Sequence, residues 1–129
     1  MDRKPQQKTG IARIWAAFFH SLEGLRLAVS SEAAFRQELA VIAVALIALI
    51  FLPLSLVWKG ILFLSTTSIL VVELLNSAIE SVVDVASPEY HILAKRAKDF
   101  GSAAVLIILV ISGVLWSCAI FSIFKTAAI

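Results

Sequence analysis

Four polar residues recur at i, i+3, i+7 and i+11 within a strongly apolar stretch: Glu73, Asn76, Glu80 and Asp84. At about 100° per residue on a helix they fall within roughly 80° of one another, so one helix carries a line of carboxylates along a single face. The flanking residues, Ile61 to Val83, are long enough to cross a bilayer. Each acidic group in a spanning helix costs a few kcal/mol even on mild insertion scales, so the line is expensive without partners. A second polar set, His91, Lys95, Lys98, Asp99 and Ser102, lies close to one face of the next helical segment and carries mostly the opposite sign. The short connection between the two lets that face approach the carboxylates. Glu32, upstream of the first apolar span, is a further acidic residue expected near the membrane interface.

These residue types suit phosphoryl transfer from a soluble donor to a lipid acceptor. Glu32 and Glu80 can bring oxygen ligands to Mg²⁺, a hard cation that keeps several waters and bridges phosphate oxygens. Lys98, with Lys95 or Arg13, can offset nucleotide phosphate charge. Glu73 lies about 10 Å deeper along the helix than Glu80 and can accept the proton of a hydroxyl presented from the lipid. The chain has no GxxxxGK[ST] loop, no HRD or DFG set and no Gly-rich turn after a strand, so any phosphate cradle is built from side chains. Two blander readings compete: a buried polar seam that only holds helices together, and a small pore or assembly protein without enzymatic activity. The pore accounts for the carboxylate line but not for the cationic face or Glu32.

The elements that must position these groups are those of a membrane protein. Of 129 residues, 60% are apolar and 16% charged, and the mean hydropathy is +0.97. Eleven Lys and Arg with nine Asp and Glu cannot coat a soluble core of this size. The net charge of +2 is too small to imply a nucleic-acid partner. Leu39 to Val57 is a charge-free first span with Pro53 near its exit, Ile61 to Val83 is the second, and Gly101 to Phe124 is the third. Arg3, Lys4, Lys8, Arg13, Arg26 and Arg36 precede the first span, and Lys95, Arg96 and Lys98 lie between the second and third. Only Lys59 and Lys125 fall on the other side, which predicts a cytoplasmic N-terminus and an outward-facing C-terminus.

Ahead of the spans, Ile11, Ile14, Trp15, Phe18, Leu22 and Leu25 recur at helical spacing, predicting an amphipathic helix on the membrane surface. Ser30 and Ser31 are expected to N-cap the helix that enters the first span, with Glu32 in its first turn. Ser87-Pro88-Glu89 has the form of an N-cap with proline at the first helical position, so the third helix is expected to start near Pro88. The single cysteine, Cys118, lies in an apolar run and reads as a small buried hydrophobe. No cleaved signal peptide is evident. The reading is one all-α integral-membrane domain, 1–129, with a surface helix at about 10–29 and transmembrane helices at about 33–57, 60–84 and 99–124.

Three motifs resemble the small integral-membrane diacylglycerol kinases of bacteria: Glu32-Ala33-Ala34-Phe35-Arg36-Gln37-Glu38, Val72-Glu73-Leu74-Leu75-Asn76-Ser77-Ala78-Ile79-Glu80-Ser81-Val82-Val83-Asp84, and Arg96-Ala97-Lys98-Asp99-Phe100-Gly101-Ser102-Ala103-Ala104. The resemblance implies a homotrimeric helix bundle in the inner membrane, with three spans and one surface helix per chain and active sites shared between subunits. It implies transfer of the ATP γ-phosphate to 1,2-diacylglycerol, giving phosphatidic acid and ADP. Glu73 is then the catalytic base, and Glu32 and Glu80 hold the Mg²⁺ of ATP-Mg. Nucleotide contacts are implied for Arg13, His20, Glu32, Glu80, Glu89, Tyr90, His91, Lys98 and Asp99. Contacts to the lipid substrate are implied for Arg13, Ala34, Phe35, Arg36, Gln37, Glu38, Glu73 and Ser102, with Asn76 and Asp84 in support. His20 departs from the tyrosine of well-known members, and Val85-Ala86-Ser87-Pro88 departs from the usual form of the second loop. The related enzymes that phosphorylate undecaprenol, a long polyprenol, are the nearest alternative.

Overall fold

A computed structural model describes residues 9–127; Arg3, Lys4 and Lys8, which enter the charge count, lie outside the described residues. Among the described residues the elements are four helices: α1 (Ile11–Ser31), α2 (Ala33–Phe51), α3 (Leu56–Ala86) and α4 (Ile92–Ala127). Helices α2, α3 and α4 are each long and apolar enough to cross a membrane. The chain divides into two compact units, one ending at Ala33 and the other starting at Ala34.

The first unit is α1. It starts after Gly10, whose φ of 62° favours a residue without a Cβ. Ile11, Ile14, Trp15, Phe18, Leu22 and Leu25 are all exposed. Trp15, Phe18 and Phe19 contact one another, with ring centroids 5.8–6.3 Å apart. Ser30 and Ser31 do not start a new helix, as the sequence suggested. Both hydroxyls instead donate to the Leu27 carbonyl, at 3.0 and 2.8 Å, back along α1. Glu32 is the C-cap of α1: its backbone is extended and its N–H donates to Ala28 O at 3.0 Å.

In the second unit, Pro53 ends α2 earlier than the predicted boundary at 57. Proline disfavours helical geometry at the residue before it and supplies no N–H, so the last helical residue is Phe51. Lys59 Nζ donates to the freed carbonyl of Ile50 at 3.0 Å. Ser55 then caps α3, its Oγ accepting from Trp58 N at 3.3 Å, so α3 starts at Leu56 rather than near 60. At the far end Ser87 closes α3 through its N–H to Val83 O at 2.8 Å, instead of opening α4. The N-terminal residue that caps α4 is His91. Its Nδ1 accepts from Leu93 N at 3.2 Å and its carbonyl from Lys95 N at 3.0 Å, so α4 starts at Ile92, not near Pro88 or 99.

Helices α3 and α4 form the principal packed pair. The buried residues of α3, Leu62, Thr66, Ile69, Glu73 and Asn76, alternate by four and three positions, the spacing of a seam between closely packed helices. Those of α2, Phe35, Ile42 and Leu49, are one heptad apart. Leu49, Leu62 and Ala119 bring the three helices together in one apolar cluster, edged by Leu46, Leu54, Trp58, Leu115 and Trp116. Trp116 Nε1 donates to Thr66 Oγ1 at 2.9 Å across the α3–α4 seam. Cys118 is exposed rather than buried, because it lies on the outer side of α4 next to the buried Ala119.

Candidate active site

The α3 seam changes character along its length. Below Ile69 it is apolar or hydroxylic; above it the same positions hold Glu73, 5% exposed, and Asn76, 9% exposed. Asn76 Nδ2 donates to Glu80 Oε1, one turn further on, at 3.4 Å. Beyond Glu80, Asp84 Oδ1 pairs with Lys98 Nζ of α4 at 2.7 Å, and the Lys98 charge also interacts with Glu80. The cationic face predicted to approach the carboxylate line therefore meets it through Lys98, whereas Lys95 pairs with Asp99 on its own helix. The line runs from a dry seam to an exposed ion pair.

Two oxygen atoms in this unit are buried with no hydrogen-bond partner among the described residues: Asn76 Oδ1 and Glu38 Oε2. Buried polar atoms in folded proteins are nearly always satisfied, so these two stand out among the polar groups of the seam. Glu38 lies on α2, close enough to Glu73 on α3 for their charges to interact. It also lines a cavity of about 210 Å³ with Gln37, Val41, Ile42, Ile69 and Leu109, drawn from α2, α3 and α4. The exposed lining of that cavity is almost wholly apolar.

A larger cavity, of about 440 Å³, opens at the α3–α4 connection. Among its lining residues are Asp84, Glu89, Tyr90, His91, Lys98 and Asp99. Lys95 is there too and pairs with Asp99 Oδ2 at 2.6 Å. The residues expected to contact nucleotide in this unit thus surround one space, apart from Glu80, which lies on the adjoining turn of α3. The wall is completed by Ser87 and Pro88, held in a turn by a hydrogen bond from Ser87 Oγ to Glu89 O at 3.0 Å. Proline and a hydroxyl in a short polar connection are the sequence signal for this turn, although the same pair also has the form of a helix start. Arg96 stacks over the Phe100 ring at 5.9 Å and takes no part in the cavity.

The remaining expected residues are distributed as follows. Phe35 is buried in the α2 seam, while Ala34, Arg36, Gln37 and Ser102 are exposed. Arg13, His20 and Glu32 belong to the first unit, where Arg13 and His20 are exposed and Glu32 Oε1 lies 3.2 Å from Ser31 Oγ. No group of three or more His, Cys, Asp or Glu residues is arranged to hold a metal among the described residues. Glu80, half-buried on the adjoining turn of α3, is nonetheless a hard oxygen donor of the kind that suits a divalent cation carried in on phosphate rather than one held in a protein cage. Gly101, a small residue at the head of an apolar span of the kind that allows close helix approach, is buried against Asn76; its pairing with Asn76 has no signal in the sequence.

Three helices long and apolar enough to cross a membrane, with a buried carboxylate on a polar line that ends at the Lys98–Asp84 pair, define the class as an all-α protein of membrane-spanning type. The profile of the prokaryotic diacylglycerol kinase family matches residues 19–120. The diacylglycerol kinase of Escherichia coli (strain K12) is 43% identical over 116 residues, covering 90% of this chain and 95% of that protein. The diacylglycerol kinase of Pseudomonas aeruginosa is 44% identical over 111 residues, covering 85% and 89%, and that of Helicobacter pylori (strain ATCC 700392 / 26695) is 38% identical over 112 residues, covering 87% and 88%. The chain belongs to the prokaryotic diacylglycerol kinase family, and it is a kinase of lipid metabolism with transmembrane helices.

Proposed function

We propose that this enzyme transfers the γ-phosphate of ATP to the free hydroxyl of 1,2-diacylglycerol, producing phosphatidic acid and ADP. The observation that carries the proposal is Glu73: a carboxylate 5% exposed in an apolar helix seam, on a polar line that continues to the Lys98–Asp84 pair. A carboxylate so placed lies in the membrane-spanning part of α3, on the same helix face as the groups assigned to the phosphate donor. In the reaction Glu73 accepts the proton of the acceptor hydroxyl, and the freed oxygen lone pair forms the bond to the γ-phosphorus. The bond from the γ-phosphorus to the β–γ bridging oxygen breaks, and ADP leaves with its electron pair.

The 210 Å³ cavity supports a lipid acceptor, since its apolar walls suit an acyl chain and Glu38 is among the residues that line it. Gln37 borders that cavity, and Ala34, Phe35, Arg36 and Ser102 are assigned to the same substrate on family grounds. The 440 Å³ cavity is of a size to take the nucleotide, with Glu89, Tyr90, His91 and Asp99 around it and Lys98 offsetting phosphate charge. Asp84 holds Lys98 in place through their 2.7 Å contact. Glu80 and Glu32 are assigned to Mg²⁺, Asn76 to support on the lipid side, and Arg13 and His20 to the nucleotide. When bound, that ion neutralises developing charge on the phosphate oxygens.

The assembly is a homotrimer with shared sites. Most apolar side chains of α2, α3 and α4 remain exposed in one chain, and the seam of a single α3–α4 pair leaves Glu80 half-buried beside lipid. Helix α1 is an amphipathic surface helix, its exposed aromatic and aliphatic face lying in the headgroup region. The whole chain, 1–129, is one inner-membrane domain with a cytoplasmic N-terminus and a periplasmic C-terminus, as the distribution of Lys and Arg favours. Transfer of label from γ-labelled ATP to a panel of lipids by the purified protein in detergent tests the reaction. Diacylglycerol should be the preferred acceptor; preference for undecaprenol, or no labelled lipid at all, would overturn it.

A further inference from the structure

Within the polar part of the seam, α4 approaches α3 closely at Gly101, which is buried. A Cβ built there would overlap Asn76 Oδ1 and lie 3.3 Å from Asn76 Cγ, yet it would stand 3.8 Å from Asn76 Cα, an ordinary contact. The obstruction is therefore to the Asn76 side chain and not to the helix backbone. A methyl group at 101 is accommodated when the carboxamide swings away while the two helices keep their spacing. The carboxamide that would move is the one whose Nδ2 donates to Glu80 Oε1 and whose Oδ1 is buried without a hydrogen-bond partner among the described residues. Its present orientation is thus set from the opposite helix. At the other glycines beyond α1, Gly60 and Gly113, an added Cβ would meet nothing within 4 Å.

We propose that Gly101 is a positioning residue of the active site: by presenting no side chain to α3, it keeps the Asn76 carboxamide turned toward Glu80. It acts through Asn76 and touches neither substrate. The assay rests on the kinase function proposed above, whereas the orientation of the carboxamide does not, and the experiment separates the two. Gly101→Ala, Asn76→Ala and the double variant are purified in detergent and compared for turnover, KM for diacylglycerol and thermal stability. The Asn76 side-chain amide resonances are followed by NMR in the same micelles.

Gly101→Ala should lower kcat about tenfold, the scale of one hydrogen bond to a carboxylate, with KM for the lipid and the melting temperature close to wild type. In the Asn76→Ala background the same substitution should cost nothing more, because the obstructed atom is gone. The Asn76 amide resonances should shift in Gly101→Ala. A multiplicative loss in the double variant, or unshifted resonances, would overturn the proposal. Should Gly101→Ala fail to fold, the double variant must fold and match Asn76→Ala; if it too fails, backbone packing is the constraint and the proposal falls. A wild-type protein inactive on diacylglycerol would refute the lipid-kinase function, while the amide resonances would still decide the role of Gly101.

Discussion

Replacing Glu73 by glutamine isolates its proton-accepting capacity from its shape. The side chain is 5% exposed and sits in the α3 seam between Ile69 and Asn76, so an amide of the same length fills the same space. What is lost is a group able to take a proton at neutral pH. General-base help is worth about 10² to 10⁴ in rate, or roughly 3 to 5 kcal/mol of barrier. The substitution should not destabilise the protein. Glutamine keeps the length and planar end of the side chain, so the packing between Ile69 and Asn76 is retained. Glu73→Asp is the informative companion: it keeps the acid but withdraws it by one methylene, about 1.5 Å, and a misplacement of that order costs about 10². Single-turnover transfer of labelled γ-phosphate in micelles, with ATP binding measured separately, resolves the chemical step from substrate capture. The expected result is loss of transfer with ATP affinity and thermal stability retained. A Glu73→Gln protein that keeps more than about a tenth of wild-type turnover would refute the assignment of Glu73 as base.

Other consequences are open to direct measurement. Glu80→Gln and Glu32→Gln should each raise the Mg²⁺ concentration needed for half-maximal activity, since each removes an anionic oxygen ligand; a normal metal midpoint with only a lowered maximum rate would move the residue out of the metal site. Thr66→Val removes the acceptor of the Trp116 indole N–H, 2.9 Å away, and should destabilise the protein by about 1 kcal/mol in a mixed-micelle unfolding titration without changing kcat. Mixing inactive Glu73→Gln and inactive Lys98→Leu proteins, then unfolding and refolding them together, should restore part of the activity, because some mixed assemblies contain a site with neither lesion. A mixture that crosslinks into hetero-oligomers yet stays inactive would confine the site to one chain.

The apolar spans and the polar line along α3 were legible in the amino-acid sequence because both are local patterns. Mean hydropathy over some twenty residues marks a helix able to cross a bilayer, and a period of 3.6 places Glu73, Asn76, Glu80 and Asp84 on one side of it. The approach of Lys98 to that line was legible as well, since a connection as short as Ser87 to His91 forces α3 and α4 to run back along each other. Helix ends were less so. Ser30 and Ser31 can bond backward as well as forward, and the choice went to the Leu27 carbonyl. Ser87 and Pro88 suit a helix start, but the cap of α4 fell to His91, whose ring nitrogen accepts from Leu93 N. These are competitions between hydrogen bonds of similar strength, which spacing alone does not rank.

What only the tertiary structure decided is the register between helices. Glu38 is 35 residues from Glu73 in the chain and Asn76 is 25 from Gly101, and no periodicity relates either pair. Their proximity depends on where Pro53 ends α2, where Ser55 starts α3 and how far α4 slides along α3 before Thr66 meets Trp116. A slide of one turn would leave each helix equally apolar and equally helical, yet it would carry Gly101 away from Asn76, because the interhelical contacts are discrete and side-chain shape selects among them.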